Sequence, residues 1–237
     1  MSKELKKFVK GGRIVGKIRW LGHSGFEIEL VNKTLLIDPW LTGNPLAPIM
    51  ASNVKKADIV CVTHDHGDHL GDAVEICKKT GATFVGIYEL GVFAEENGVN
   101  DVVGINIGGT VEVKGINITL VQAFHSSTRG APTGFVLKAE GKTIYHAGDT
   151  GLFGDMRLIG EFHRPDVALI PIGDYYTMGP KEAAEAVKLI GPAVVIPIHY
   201  KTLPVLKPSA ENFIKIVKEK VPEVKVVALK PGETYQL

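Results

Sequence analysis

The sequence predicts a layered α/β fold in which two β-sheets pack face to face between helices. Three observations point there. Short apolar or alternating segments gather in two strand-rich blocks, one in the first third and one over residues 102–147. Each half carries its own helical stretches, and the last third alternates strand and helix. A doubly wound fold would show regular βαβ alternation throughout, which this chain lacks, so one parallel sheet does not account for the pattern.

Taken in order, residues 14–20, 25–31 and 34–37 read as strands, separated by turn-prone Gly22 and by Asn32-Lys33. Residues 58–62 (DIVCV) form a short apolar strand. Residues 71–79 have helical spacing that ends at Gly81, and a second helix is expected over 89–97. Within 102–147 the clearest strands are 116–124 and 134–140. Strand 167–171, helix 181–190, strand 193–198, helix 209–220 and strand 224–228 complete the chain.

The composition is that of a soluble globular protein, with 45% hydrophobic and 22% charged residues over 237 positions. No linker, repeat or low-complexity tract interrupts it, so one domain over 1–237 is expected. A net charge of +1 gives no reason to expect a polyanion such as nucleic acid as partner. Cys61 and Cys77 are the only cysteines, which suits a reducing compartment better than a disulfide scaffold. The opening MSKELKKFVKGG has lysines with no apolar run behind them, and no stretch approaches the roughly 18 apolar residues of a membrane span. A cytoplasmic protein without membrane contact is the expectation.

The chemistry concentrates after the strand at 58–62. Thr63-His64-Asp65-His66-Gly67-Asp68-His69 places three imidazoles and two carboxylates within six positions. On a regular helix or strand those side chains would scatter over different faces. On a loop they can converge, and a cation makes convergence favourable, because neutral imidazole and carboxylate are the donors that zinc and similar ions accept. His125 follows the strand ITLVQAF, Asp149 closes a strand in a glycine turn (HAGDT), and His199 ends VVIPIH. Each alone has an ordinary structural reading. Each also follows a strand end, as the first cluster does, and together they read as one metal site.

The HxHxDH run, the downstream His125, the GDT aspartate and the late His199 resemble the metallo-β-lactamase superfamily in order and spacing. GHSGF at 22–26, LIDPW at 36–40, YTMGP and PIHYKT at 197–202 are similar to a branch of metal-dependent hydrolases near the ascorbate-6-phosphate lactonases. The resemblance spans essentially the whole chain. It implies a four-layer αββα sandwich with the site at one edge of the sheets. It further implies two divalent ions, zinc first with manganese or iron(II) as alternatives, acting together on a water and an electrophilic carbonyl or phosphorus. His64, His66 and His125 would hold one ion; Asp68, His69 and His199 the other; Asp149 would bridge. Asp68 would also orient the nucleophile. Asp149 stands where several true β-lactamases have Cys, which disfavours antibiotic hydrolysis. His66 stands where flavo-diiron oxidoreductases have Glu, which weakens a redox reading.

Asp38 is expected behind the ligands, fixing an imidazole tautomer; His23 is expected at the rim of the site or behind the ligands, and His146 behind the ligands or simply packed. Arg129, Tyr176 and Lys201 are the expected substrate contacts, and the two cations admit an anionic substrate. The leading function is a small-molecule hydrolase acting on an ester, lactone or phosphoester. A phosphodiesterase or nuclease, and a metal-binding scaffold without turnover, are the competing readings. Assembly into a homo-oligomer is left open.

Overall fold

The computed structural model describes residues 16–237. Residues 14 and 15 of the first expected strand, and the lysine-rich opening segment, lie outside the described residues. In chain order the strands are β1 (Lys17–Trp20), β2 (Phe26–Leu30), β3 (Lys33–Ile37), β4 (Ile59–Cys61), β5 (Thr83–Ile87), β6 (Val102–Ile105), β7 (Thr110–Val113), β8 (Ile116–Gln122), β9 (Thr133–Ala139), β10 (Lys142–His146), β11 (Val167–Pro171), β12 (Val194–Ile198), β13 (Lys225–Val226) and β14 (Thr234–Gln236). The helices are α1 (Gly67–Leu70), α2 (Ala73–Thr80), α3 (Tyr88–Glu96), α4 (Met156–His163), α5 (Pro180–Ile190) and α6 (Ala210–Lys220).

These strands form two seven-stranded mixed sheets, in the orders β14-β1-β2-β3-β4-β5-β6 and β13-β12-β11-β10-β9-β8-β7. In β2, buried Phe26, Ile28 and Leu30 alternate with half-buried Glu27 and Glu29, the two-residue period of a strand with one core face. The parallel strands β11 and β12 are buried at every position because both of their faces are covered. Between the sheets, Ile18, Ile28 and Leu35 share one apolar cluster with Ile118, Leu137, Ile144, Leu169 and Ile196. The alternate residues of the second sheet, Val136, Tyr145, Ala168, Ile170 and Val195, pack outward on Ala183, Val187, Phe213 and Val217. Helices α2 and α3 lie on the first sheet, while α5 contacts β11 and both α4 and α6. The result is the expected αββα sandwich. Each fully buried Leu, Ile or Val in it contributes about 1.5–3 kcal/mol. Among the described residues no helix is long and apolar enough to cross a membrane.

Three departures from the sequence reading have physical causes. The cluster after β4 is not all loop: Asp68 and His69 stand on the single turn α1, where the N–H groups of His69 and Leu70 both reach the His66 carbonyl. Helix α4 was not expected because Gly160 sits in its middle. A Cβ there would lie 2.2 Å from the Ile190 carbonyl oxygen, so glycine is what allows α4 to approach the end of α5. Strand β5 has no counterpart among the strands read from the sequence; it begins two residues after Gly81, the glycine that ends α2, and runs straight into α3 with no connecting loop.

Candidate metal centre

Strand ends from both sheets deliver the site. His23 follows β1, Asp38 follows β3 and His64 follows β4; His125, Asp149 and His199 follow β8, β10 and β12. Three of these residues adopt positive φ, His23 at 54°, Asp38 at 44° and His199 at 55°. Such backbone costs about 1–3 kcal/mol per residue and persists where the surroundings hold it in place. For His199 the surroundings are visible, since its N–H bonds the His23 carbonyl, which also accepts from Trp20 Nε1.

Two groups of donor atoms result. In the first, His64 Nε2 lies 3.0 Å from His66 Nδ1, which lies 3.3 Å from His125 Nε2. The Thr63 hydroxyl donates to Asp38 Oδ2 at 2.7 Å and stands 3.0 Å from His64 Nδ1. It can therefore accept the Nδ1–H of His64, which leaves the Nε2 lone pair facing the other two rings. Burial also drives the pKa of His64 down to about 3, against the pull of Asp149 and Asp38. A neutral imidazole is what a metal ion requires.

In the second group, His69 Nδ1 is 2.8 Å from Asp38 Oδ2, and its Nε2 is 3.3 Å from Asp149 Oδ2 without hydrogen-bond geometry. His199 Nε2 is 3.0 Å from the same Asp149 oxygen, and His125 Nε2 of the first group is 3.6 Å from it. Asp149 thus stands between the groups. Burial disfavours the charged carboxylate, but His199 and His69 outweigh it and hold the Asp149 pKa well below its ordinary value. Burial likewise opposes a charge on His69, while Asp149 and Asp38 raise its pKa well above normal. The two carboxylates therefore favour positive charge at this point.

Whether these residues fit divalent ions is tested by their unmet polar atoms. Asp149 Oδ1 and His69 Nε2 are buried and have no hydrogen-bond partner. An orphaned buried carboxylate oxygen is expensive, and a cluster of imidazole lone pairs is repulsive unless a cation lies among them. Donor atoms of His64, His66 and His125 lie within 4.8 Å of one another, as do those of His23, Asp68, His69 and His199, and those of His64, His69 and Asp149. The donor set fits.

The remaining expected residues divide. His23 comes closer than a rim position: its ring is fully buried and lies 4.0 Å from that of His199. Burial drives its pKa down to about 4, so the neutral ring donates Nε2–H to Asp68 Oδ2 at 3.1 Å and accepts the Thr202 hydroxyl at Nδ1, 2.9 Å away. Among the described residues His146 makes no hydrogen bond to a ligand side chain. Its Nδ1 accepts the Gly148 N–H and its Nε2 donates to the Ser24 carbonyl, so it braces the GDT turn and joins the two sheets. Tyr176 lines the cavity over the site, about 350 Å³ in volume, with His66, Asp68, His125, Ser126, Asp149, His199 and Leu203. Arg129 and Lys201 do not line it. Arg129 pairs with Asp65 at 3.0 Å and lies 4.4 Å over the Phe93 ring, while Lys201 is exposed, its backbone N–H held by Leu206. Thr202, and the tasks of Thr63 and Asp65 within the cluster, are not legible in the sequence because a hydroxyl or carboxylate beside a ligand carries no periodic signal.

Imidazole and carboxylate donors gathered at the strand ends of an αββα sandwich define a metalloprotein of hydrolase type. Residues 17–199 match the family model described as a beta-lactamase superfamily domain. The chain is 54% identical over 229 residues to a UPF0173 metal-dependent hydrolase of Methanopyrus kandleri, covering 93% of this chain and 99% of that one. It is 50% identical over 225 residues to another from Caldivirga maquilingensis, covering 94% and 99%. Among solved structures it resembles Igni18, a metallo hydrolase from Ignicoccus hospitalis, with a TM-score of 0.88, 42% identity, and coverage of 94% and 98%. An isothiocyanate hydrolase from Delia radicum gut bacteria shares the fold at 19% identity and a TM-score of 0.76, covering 93% and 98%. The chain belongs to the metallo-β-lactamase superfamily, in its group of metal-dependent hydrolases.

Proposed function

We propose that this protein hydrolyses an ester, lactone or phosphoester of a small molecule, using two divalent ions held by His64, His66 and His125 on one side and Asp68, His69 and His199 on the other, with Asp149 shared. The observation that carries the reading is the position of Asp149. One of its oxygens lies 3.0–3.6 Å from imidazoles of both groups, at the wall of the cavity, and the other has no partner. Zinc suits this nitrogen-rich set best, with manganese or iron(II) as alternatives. When bound, such ions supply Lewis acidity and lower the pKa of a water.

The protein's own groups supply the rest. Asp68 lines the cavity, and His23 Nε2–H fixes one of its oxygens. Burial tends to raise the Asp68 pKa, but the bond from His23 and the charge on His69 bring it far below normal, so the carboxylate is ionised. It can orient a water as a hydrogen-bond acceptor. Tyr176, Ser126 and Leu203 also line the cavity and supply two hydroxyl-bearing side chains and one apolar one. No Lys or Arg stands among the lining residues described, which favours a small molecule over a nucleic acid backbone.

A panel of aryl esters, lactones and phosphodiesters tests this, assayed with chelated protein, with zinc-reloaded protein and with Asp68→Ala. Turnover of one small-molecule class that appears on reloading and is lost in the variant supports the proposal. Salt-sensitive cleavage of oligonucleotides alone would transfer the protein to the nuclease reading. Full metal loading without turnover would favour the scaffold.

A further inference from the structure

Asp65 stands between two of the expected ligands, His64 and His66, yet takes part in neither group of donor atoms. Its side chain is 2% exposed and fully engaged elsewhere. Oδ1 accepts the Ser127 hydroxyl at 2.9 Å and the Thr128 N–H at 2.8 Å, and Oδ2 accepts from Arg129 Nη1 at 3.0 Å. All three donors lie in the segment that follows His125. The Arg129 guanidinium also rests on Phe93 of α3, which fixes the far end of that segment.

The two groups of donors differ in how they are held. His69 and His199 of the second group and the shared Asp149 are buried to within 2%, and the partly exposed Asp68 is held by its bond from the buried His23. His66 and His125 are only half-buried and stand on loops, so packing alone does not set their separation. Thr133 bonds the Thr63 carbonyl through its N–H and its hydroxyl, a tie that involves neither His66 nor the segment directly after His125. Between the two loops the described links are the three bonds to Asp65 and the approaches of His125 Nε2 and Ser126 Oγ to the His66 ring at 3.3 and 3.5 Å, while Phe124, next to His125, is tied to the Thr150–Gly151 turn and not to the His64–His66 loop.

We propose that Asp65 is a positioning residue that clamps the His125 loop to the His64–His66 loop and so sets the geometry of the first ion's site. The proposal rests on the two-ion reading above. It also gives Arg129 a structural task, as the outer arm of the clamp, in place of substrate binding. Losing the clamp lets His125 drift relative to His64 and His66, while the second site keeps its own supports.

Cobalt(II) titration of metal-free protein, followed by visible absorption and by calorimetry, tests this in wild type, Asp65→Ala and Asp65→Asn. Wild type is expected to take up two ions. Asp65→Ala should bind one of them as in wild type and the other roughly 10–100-fold more weakly, the usual effect of losing a residue that orients ligands. Asp65→Asn should fall between, since an amide oxygen can keep the Ser127 and Thr128 bonds but its NH₂ cannot accept from Arg129. Should Asp65→Ala fail to fold, Asp65→Asn and Arg129→Ala carry the same comparison. Variants that bind both ions with wild-type affinity, or lose both equally, would overturn the clamp while leaving the two-ion reading intact. A wild-type protein that takes up fewer than two ions would end both.

Discussion

His69 and Asp38 meet at 2.8 Å, Nδ1 to Oδ2, joining a histidine on the one-turn helix α1 to a fully buried carboxylate at the end of β3. The same carboxylate accepts the Thr63 N–H at 2.8 Å and the Thr63 hydroxyl at 2.7 Å. One side chain thus orients a ligand of each group, His69 directly and His64 through Thr63. Asp38→Asn keeps the shape but turns an acceptor into a donor facing these partners. The expected outcome is a loss of about 1–3 kcal/mol in chemical denaturation and roughly 10–100-fold weaker metal binding. Wild-type values for both would make Asp38 a bystander.

Gly173 sets how closely β11 approaches the His199 turn. A Cβ at Gly173 would lie 2.1 Å from the His199 carbonyl oxygen and 3.0 Å from its Nδ1. Gly173→Ala should therefore displace His199, weaken the second ion and cost about 1–3 kcal/mol. Gly154→Ala serves as control, because nothing lies within 4 Å of its added Cβ and its φ is ordinary; it should stay within about 0.5 kcal/mol of wild type. Equal effects of the two substitutions on metal binding would dismiss the role given to Gly173.

Both thiols should be silent in the native protein. Cys61 and Cys77 are buried, and burial pushes the Cys77 pKa up to about 12 and that of Cys61 well above its normal value. Only the thiolate reacts. At pH 8 a disulfide reagent is expected to label neither cysteine until denaturant is added, and then both. Rapid labelling of the native protein would show that the packing around β4 or α2 is looser than described.

Much of this was legible in the sequence because the signals were local. The apolar runs at 59–61, 116–122, 167–171 and 194–198 announce strands, and the ligands stand just beyond their ends. The order of HxHxDH, His125, Asp149 and His199 carries the site as a pattern. What the sequence hid depends on contacts between distant segments. Gly160 looks like a helix breaker until its approach to Ile190 is seen, and so α4 was missed. Arg129 looks like a free cation beside a ligand until Asp65, 64 positions away, is found to hold it. Lys201 follows a ligand by two residues, yet it is exposed and does not line the cavity, whereas His199 before it and Leu203 after it do. His23 stands behind Asp68, and the bond between them joins residues 45 positions apart that no spacing rule connects.

Asp149→Asn separates a bridging carboxylate from a turn residue. The amide preserves shape and suits a glycine turn, but removes the negative charge that offsets the repulsion of two cations. Elemental analysis is expected to show loss of one ion or marked weakening of both, with turnover down by several orders of magnitude. Unchanged metal content and thermal stability would leave Asp149 as a turn former only.

Anomalous diffraction from zinc-loaded crystals tests the two-ion centre most directly. Two peaks are expected, one among His64, His66 and His125 and one among Asp68, His69 and His199, each within about 2.0–2.2 Å of its nitrogen and oxygen ligands, with Asp149 touching both. A single peak at full zinc saturation, or two peaks without Asp149 between them, would contradict the account.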